Sequence, residues 1–478
     1  MSKTYESVHT EVTYLNDDVY HGIGIENKGG KVGKRHGQIL LFAFLICFAS
    51  ATRVDMSISI VAMTDNRASA NEDITTFNWT DKGLVLSSFL WGYMIPQTGA
   101  GWLANRYGPK WFLVAGMTTC SLLGLLLPTL AVTFGSYGVM VCRFFQGICQ
   151  SCVYPSVQTL LGKWVPKNER SRLGSFVHAG GPVGMLTGTL LSGYIASSYY
   201  GWPMVFYVFY STLLSWCILF AWVGTNSPKD HSTISRAERL YIEITLNQEK
   251  HTENASTPWA DIFKSLPFWA LLIHQAGFIW GHWTLLTETP IYLSSVLKFP
   301  LESNGQLSSL PYVAQWVLSI FFSFCSDWLI NRKICSVGMT RKFMSMIGSG
   351  VPALALIFLA QCDEKDSTIA IISLVLAGGA ASASFSGFLV NHLDLSPNHS
   401  GILMGLTNHA GIICSAQAPA LMHYLVTDEE DPEQWKIIFY LASAVYITTT
   451  IIFIVFGSGE VQPWNEKEKG VSLKTDDN

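Results

Sequence analysis

Two arginines stand inside apolar stretches of this chain, where a lipid-facing sequence would hold none. Arg53 lies within the run 38–63 and Arg143 within the run 137–160. An ionisable group at membrane depth is costly, so it is expected to face a polar interior and to serve a function. A guanidinium presents a planar fork that grips a carboxylate or phosphate through two parallel hydrogen bonds. The chemistry on offer is therefore capture of an anion. Arg53 sits about 15 residues into its run, roughly 22 Å along a helix rising 1.5 Å per residue, which is too deep for easy snorkelling. The alternative is an ion pair with Asp55, two residues on, but residues at that separation do not share a helix face.

Arg143, Gln150 and Tyr154 fall at i, i+7 and i+11, which is one face of a helix. A cation, an amide and a phenol on one stripe suit an anion in a polar cavity; the alternative is a polar clamp between helices. The run 268–297 adds His274, Gln275, His282 and Glu288. Histidine and glutamate are candidates for carrying protons, and hydrogen-bonded packing is the alternative for each histidine. Glu288 precedes Thr289-Pro290, so a gate-like position at the outer end fits it equally well. His178 and His409 carry weaker signals. Asn391, His392 and Asp394 close the run 367–391 at its cytosolic end, where capping and gating are the expected roles.

The elements that must position these groups are legible in composition. Of 478 residues 49% are apolar and 13% charged, against about 25% charged in an average soluble domain. Charges cluster between runs of roughly 20 apolar residues, the length that crosses hydrocarbon as a helix. Such runs lie at about 38–63, 84–104, 111–134, 137–160, 173–197 and 203–224, then at 268–297, 307–330, 341–361, 367–391, 400–424 and 435–457. The fold class is an all-α membrane protein of twelve transmembrane helices in two six-helix halves. Interruptions are expected at Pro155 and at Gly180-Gly181-Pro182.

With the N-terminus in the cytosol, 23 of the 30 Lys and Arg residues fall on the inner side, and five on the outer, Arg67, Lys82, Lys298, Lys365 and Lys436. That asymmetry orients the chain with both termini cytosolic. Gly101-Trp-Leu-Ala-Asn-Arg106 and Asp327-Trp-Leu-Ile-Asn-Arg332 end the second helix of each half, which reads as a duplication. Parallel six-helix repeats are the major facilitator architecture, with the site between the halves. The expected domains are a cytosolic arm (1–37), an N-terminal half (38–224), a cytosolic linker (225–267), a C-terminal half (268–457) and a cytosolic tail (458–478). The linker should carry an amphipathic helix around 235–247.

Several classes are excluded or disfavoured. The net charge of −4 gives no reason to expect nucleic acid. There is no Walker-type nucleotide loop and no nucleophilic triad, so transport would run on gradients, and no enzyme is expected. No cofactor or metal is expected, because the ten cysteines match no zinc spacing and mostly fall inside apolar runs as small buried hydrophobes; Cys362 alone is expected in an outward loop. No cleavable signal peptide is read. Of three N-x-S/T sequons, Asn254 and Asn398 fall on the cytosolic side, which leaves Asn78 as the glycosylation candidate.

The run Arg53-Val-Asp-Met-Ser-Ile-Ser-Ile-Val-Ala-Met63 resembles the first-helix signature of the anion/cation symporter family, which holds the type I sodium–phosphate cotransporters, sialin and the vesicular glutamate transporters. Ser87-Ser-Phe-Leu-Trp-Gly-Tyr93, Arg143-Phe-Phe-Gln-Gly147, Lys163-Trp-Val-Pro-Lys-Asn-Glu-Arg-Ser-Arg172, Leu286-Thr-Glu-Thr-Pro-Ile-Tyr292, Val390-Asn-His-Leu-Asp-Leu-Ser-Pro397 and Gly457-Ser-Gly-Glu-Val-Gln-Pro-Trp-Asn465 fit the same family. The chain looks most like its insect-type inorganic phosphate cotransporters. The resemblance implies a major facilitator fold and anion transport. It places Arg53, Arg143 and Tyr154 at the substrate; Gln150 and Tyr93 complete the expected substrate-binding set, and Asp55, His274, Glu288, Asn391 and His392 are the candidates for coupling or gating.

The chain departs from the family where sialin and the glutamate transporters carry a glutamate, here Gln150, and a histidine, here Gln158. Phe278 stands where the glutamate transporters have an arginine, and Asp55 replaces the family's usual Asn. The first departure argues against proton coupling at that place, the loss of a cation argues against glutamate, and Asp55 adds a negative charge beside the anion anchor. The expected function is secondary active transport of inorganic phosphate or organic anions by alternating access. Na⁺ coupling is expected, with a sialin-like H⁺-coupled organic-anion transporter as the alternative. From another class, a non-transporting sensor or an anion conductance on the same scaffold remains open. The expected partners are a small anionic substrate and the lipid bilayer, the expected working unit a monomer, and the expected site the plasma membrane.

Overall fold

Inside a bilayer every backbone polar group must find its partner within the protein, so apolar runs of this length have the helix as their solution. A computed structural model describes residues 33–64, 71, 74–79, 81–246, 257–296, 301–362, 367–417, 421, 424–426 and 431–466, side chains at 285–291, 293–295, 301–306, 308, 367 and 466 excepted. The helices are α1 (Lys34–Thr64), α2 (Lys82–Met94), α3 (Gln97–Tyr107), α4 (Pro109–Gln150), α5 (Val153–Trp164), α6 (Arg170–Ala196) and α7 (Gly201–Val223). They continue as α8 (Arg236–Leu246), α9 (Trp259–Lys264), α10 (Leu266–Ser295), α11 (Leu301–Asn331) and α12 (Val337–Leu359), then α13 (Ser367–Ala381), α14 (Ala383–Ser386), α15 (Phe388–Leu395), α16 (Ser400–Ser415) and α17 (Pro432–Phe456). The chain is a multi-pass membrane protein of the twelve-helix kind, and helices such as α1, α7, α12 and α17 are long and apolar enough to cross a bilayer.

α4 supplies two spans. It folds back at Gly135, whose φ of 63° is a conformation that side chains avoid. The two arms then touch, the Cys142 thiol donating to the Leu123 carbonyl at 3.2 Å. The interruption expected at Pro155 is present: the helix breaks at 151–152, the turn whose hydrogen bond the proline cannot make, and Pro155 lies in the first turn of α5. α6 runs unbroken through Gly180, Gly181 and Pro182, its small residues pressed against the backbone of α1 around Ala43 and Cys47. The run read as 367–391 is in three pieces, broken at Ser382 and at Gly387 (ψ −118°). Cys362 lies in the segment that follows α12, as expected, but is buried there. The linker helix α8 lies where the amphipathic pattern placed it.

The apolar core is divided. One cluster gathers side chains from Ile39 to Leu246, with Val390 and Leu393 added. A second runs from Ile262 to Trp464. A third, small one, Phe89, Tyr93 and Ile412, lies between them.

The polar helix ends rich in Lys and Arg meet at one end of the bundle, here called the basic end. Asp394 binds the two halves together there. Its carboxylate accepts from Arg170 Nη1 at 2.8 Å and from Arg341 Nε at 2.6 Å. Asp327 caps the start of α6 by accepting from the backbone N–H of Ser171 and Arg172 at 3.1 and 2.9 Å. Nearby, Glu238 of α8 accepts from the backbone N–H of Lys34 and Arg35, and Arg35 also pairs with Glu169 at 3.0 Å. The loop between α15 and α16 is tied from below: Ser396 Oγ donates to Asn465 Oδ1 at 2.7 Å, Asn398 Nδ2 donates to the Asn465 carbonyl at 3.1 Å, and the Gln462 N–H donates to the Leu395 carbonyl at 2.9 Å. From above, Ser400 Oγ at the start of α16 donates to the Gln158 carbonyl of the other half.

Asp394→Asn leaves two buried guanidinium groups sharing a neutral acceptor, which weakens the closed basic end by about 2–5 kcal/mol. Amide hydrogen exchange across residues 396–404 is expected to rise about tenfold or more; unchanged exchange would show that the closure does not depend on this carboxylate.

Candidate functional site

Between the halves, the half-buried Arg53 keeps unused hydrogen-bonding capacity. Its Nη2 lies 3.5 Å from Gln150 Oε1, and its Nε has no acceptor. Its carbon Cζ lies 4.7 Å from the ring of Tyr93, 5.7 Å from that of Phe89 and 6.0 Å from that of Tyr154. Rings at these distances attract the cation through their quadrupole without consuming its N–H groups. The arrangement presents donors in a partly dehydrated box, which is what binding of an anion requires.

Arg143 is placed differently. It is 2% exposed and is spent on α1: Nη1 donates to the Thr52 carbonyl at 3.3 Å and Nη2 to the Arg53 carbonyl at 3.3 Å. Nη1 also reaches Gln146 Oε1 at 3.4 Å and stands 3.7 Å from Asp55 Oδ1. The helix period explains the division. Thr52, Asp55 and Ser59 share the buried face of α1, and Arg53, one step round, turns toward the cavity. Asp55 therefore faces Arg143 and not its neighbour Arg53. Gln150 Nε2 donates to Thr52 Oγ1 at 2.9 Å, which fixes the amide oxygen toward Arg53.

Glycines let the aromatic side of the box approach. At Gly92 a Cβ would meet the Phe144 carbonyl at 1.9 Å, and at Gly147 one would meet the Phe89 carbonyl at 2.1 Å. With no side chain at either position, α2 lies directly on the second arm of α4, so that Phe89 reaches both arginines and Tyr93 reaches Arg53. Tyr93 is held from the other half by Asn408, whose Nδ2 lies 3.4 Å from the phenol oxygen and donates to Gln97 Oε1 at 3.0 Å. Tyr154 stacks on His178, with centroids 6.3 Å apart, and His178 lies 6.3 Å from Phe385 of the other half.

Arg53, Gln150, Tyr93 and Tyr154 are thus brought together, with Arg143 and Asp55 directly behind them. The remaining residues singled out from sequence lie apart. His274 is buried between Phe388 and Phe453, at 4.8 and 5.0 Å, and His282 stacks on Phe278. Gln275 Nε2 reaches the Met404 sulfur at 3.6 Å. Asn391 is fully buried with neither amide atom bonded. His392 is fixed at both ring nitrogens, to the Leu389 carbonyl and Thr407 Oγ1. The Glu288 side chain lies outside the described residues. Asn78 is exposed, in a segment pinned by Phe77 stacked on Trp79 and by Trp202 Nε1 donating to the Thr75 carbonyl. Among the described residues no His, Cys, Asp and Glu group could hold a metal ion.

Sequence reasoning missed Thr52, Phe89, Gln146, Tyr210 and Asn408. Two of them left a signal: Thr52 shares a helix face with Asp55, and Phe89 precedes Tyr93 by one turn.

Three comparisons bear on this geometry. The Major Facilitator Superfamily profile matches residues 39–419. A Drosophila melanogaster protein bearing the name "Putative inorganic phosphate cotransporter" is 37% identical over 445 residues, 88% of this chain and 84% of its own length. Mouse sodium-dependent phosphate transport protein 1 is 33% identical, over 92% of this chain and 97% of its own. A solved proton:xylose symporter superposes with a TM-score of 0.68 at 14% identity, covering 90% of this chain and 98% of that one; this last likeness is one of fold.

Removing Arg143 alone strands Asp55 in the interior, so Arg143→Met is expected to destabilise the protein by about 3 kcal/mol. Adding Asp55→Leu should recover most of that loss, read as thermal unfolding midpoints in detergent. A double variant no more stable than the single would deny the pair.

Proposed function

The chain belongs to the major facilitator superfamily and, within it, to the type I phosphate cotransporter family, and on that premise we propose that it carries small anions, inorganic phosphate or organic anions, by alternating access. It is a transporter and not an enzyme. The observation that carries the anion reading is Arg53, a guanidinium between the halves with donors unspent and three aromatic rings around it. In this reading Arg53 holds the anion, Gln150 and Tyr154 orient it, and Tyr93 floors the site. Arg143 acts one step back: by gripping the carbonyls of Thr52 and Arg53 it sets the place from which Arg53 reaches.

The halves, residues 38–224 and 268–457, rock about this site, joined by the linker 225–267. The basic end faces the cytosol with both termini, in keeping with the Lys and Arg asymmetry. Opening it requires Asp394 to release Arg170, and the Gln158 carbonyl to release Ser400. A membrane potential of 100 mV opposes one uncompensated negative charge by about 2.3 kcal/mol, so entry of an anion into a negative cell needs a co-transported cation, Na⁺ or H⁺. The mouse relative's name favours Na⁺; the buried carboxylate of Asp55 favours H⁺. The protein works as a monomer in the plasma membrane, with Asn78 exposed for glycosylation on the outer side.

Uptake of labelled phosphate into proteoliposomes, under imposed Na⁺ or pH gradients and with organic-anion competitors, tests the reading. Arg53→Ala should abolish uptake with folding and insertion intact, and Arg53→Lys should lower it about tenfold, because an ammonium lacks the fork. Near-normal uptake in Arg53→Ala would remove Arg53 from the site.

A further inference from the structure

The closure at the basic end leaves one of its guanidiniums half used. Arg170, at the start of α6, is 3% exposed. Its Nη1 donates to the Leu393 carbonyl at 3.0 Å and to Asp394 Oδ1 at 2.8 Å, while Nε and Nη2 are buried with no acceptor. Those two form the parallel pair with which a guanidinium grips an oxyanion. Asp394 is already divided, since its other oxygen accepts from Arg341 Nε at 2.6 Å. Asp327 is turned to the backbone N–H groups of Ser171 and Arg172, and Glu169 to Arg35.

Groups with the same unmet need lie between this fork and the box around Arg53. On α5, Gln158 follows Tyr154 by one turn, about 6 Å along the helix. Its Nε2 donates to the Leu389 carbonyl at 3.2 Å, and its Oε1 is buried and unbonded. Four residues further along α15 comes Leu393, whose carbonyl Arg170 holds, again a step of about 6 Å. Between these points α15 touches α6, and a Cβ on Gly174 would lie 3.1 Å from Val390 Cγ2. Next in sequence to that contact, Asn391 has neither amide atom bonded and Ser175 Oγ has no partner, and both residues are buried. Leaving polar groups unmet in the interior is costly, and a column of them suits a guest that brings its own oxygens.

We propose that Arg170 is a second anion site, on the inward side of Arg53, which receives a phosphate-class oxyanion from the central box before its release at the basic end. The Nε–Nη2 edge grips two of its oxygens, the Asn391 amide and the Ser175 hydroxyl donate to the others, and Gln158 Oε1 accepts from a hydroxyl of the ion in transit. The seated anion competes with Asp394 for the same positive charge, which loosens the pair that shuts the basic end. The cargo thus helps to open its own exit. That the visitor is the transported anion rests on the reading of Arg53 above; the binding of phosphate at Arg170 does not.

The test is equilibrium binding of labelled inorganic phosphate to the full chain in lipid nanodiscs, with Arg53→Ala used to empty the central box. That variant should still bind phosphate, at one weaker site. Adding Arg170→Lys, which keeps a cation for Asp394 and lacks the fork, should weaken the remaining binding about tenfold. Adding Asn391→Leu instead, which leaves Arg170, Arg341 and Asp394 in place, should also weaken it about tenfold. Amide exchange across residues 396–404 reports whether the basic end stays closed in each variant, so binding lost with exchange unchanged is loss of a ligand contact. Should Arg170→Lys raise the exchange, the Asn391→Leu arm decides. An Arg53→Ala chain that binds no phosphate, or binds it equally well with Arg170→Lys and with Asn391→Leu added, overturns the proposal. Binding that ignores Arg53→Ala but falls with Arg170→Lys would uphold Arg170 and deny Arg53 its central role.

Discussion

A charge taken out of water must be answered by another group, and in this molecule the answer to Arg143 organises the centre of the N-terminal half. The guanidinium is too deep to reach solvent, so it donates to two carbonyls of α1 and an amide and stands 3.7 Å from the Asp55 carboxylate as an ion pair. That sharing joins α1 to the second arm of α4 at one depth in the membrane. Arg53, carried on the same turn of α1, inherits a fixed starting point. The remaining parts of the box, Gln150 behind and Tyr93 beneath, are placed relative to that join. Without a buried pair to hold the backbone, a lone cation on an apolar helix would rotate toward the nearest water.

The two ends of the interface between halves are held by different kinds of force. Near Arg53 the halves meet through rings and neutral amides, such as Phe89 and Tyr93 against Ile412, and Asn408 on Tyr93 and Gln97. At the basic end they meet through charge, with Asp394 shared between Arg170 of one half and Arg341 of its own. Apolar contact varies smoothly with separation, whereas a buried ion pair is nearly all made or all lost. The charged end is thus suited to switching between two arrangements, and the softer centre to accommodating a guest.

Much of this was legible in the sequence, and the reasons are local. Apolar runs of membrane length located most spans to within about a turn, since lipid leaves the backbone few alternatives; the runs 307–330 and 400–424 missed a helix end by more. Arg53 and Arg143 announced themselves as charges among apolar residues. The partner of Asp55 was not legible. Helix geometry showed that Asp55 turns away from Arg53, but which other helix would lie on that face depends on tertiary packing. The division of labour between the two arginines followed from the same unknown. The breaks in the tenth span, at Ser382 and Gly387, also escaped, because a stretch rich in Ala, Ser and Gly carries little periodicity. By contrast Gly180-Gly181-Pro182 carried a clear breaker signal that close packing on α1 overrode.

The loop that closes the basic end is fastened by Asn465 and Gln462, which follow the last transmembrane helix. Those residues leave the ribosome after all the spans have been made. During synthesis every helix can be inserted and both halves assembled while this loop still lacks its tether. A chain that stops short of Gln462 would hold its membrane helices and lack only the fastening of this loop.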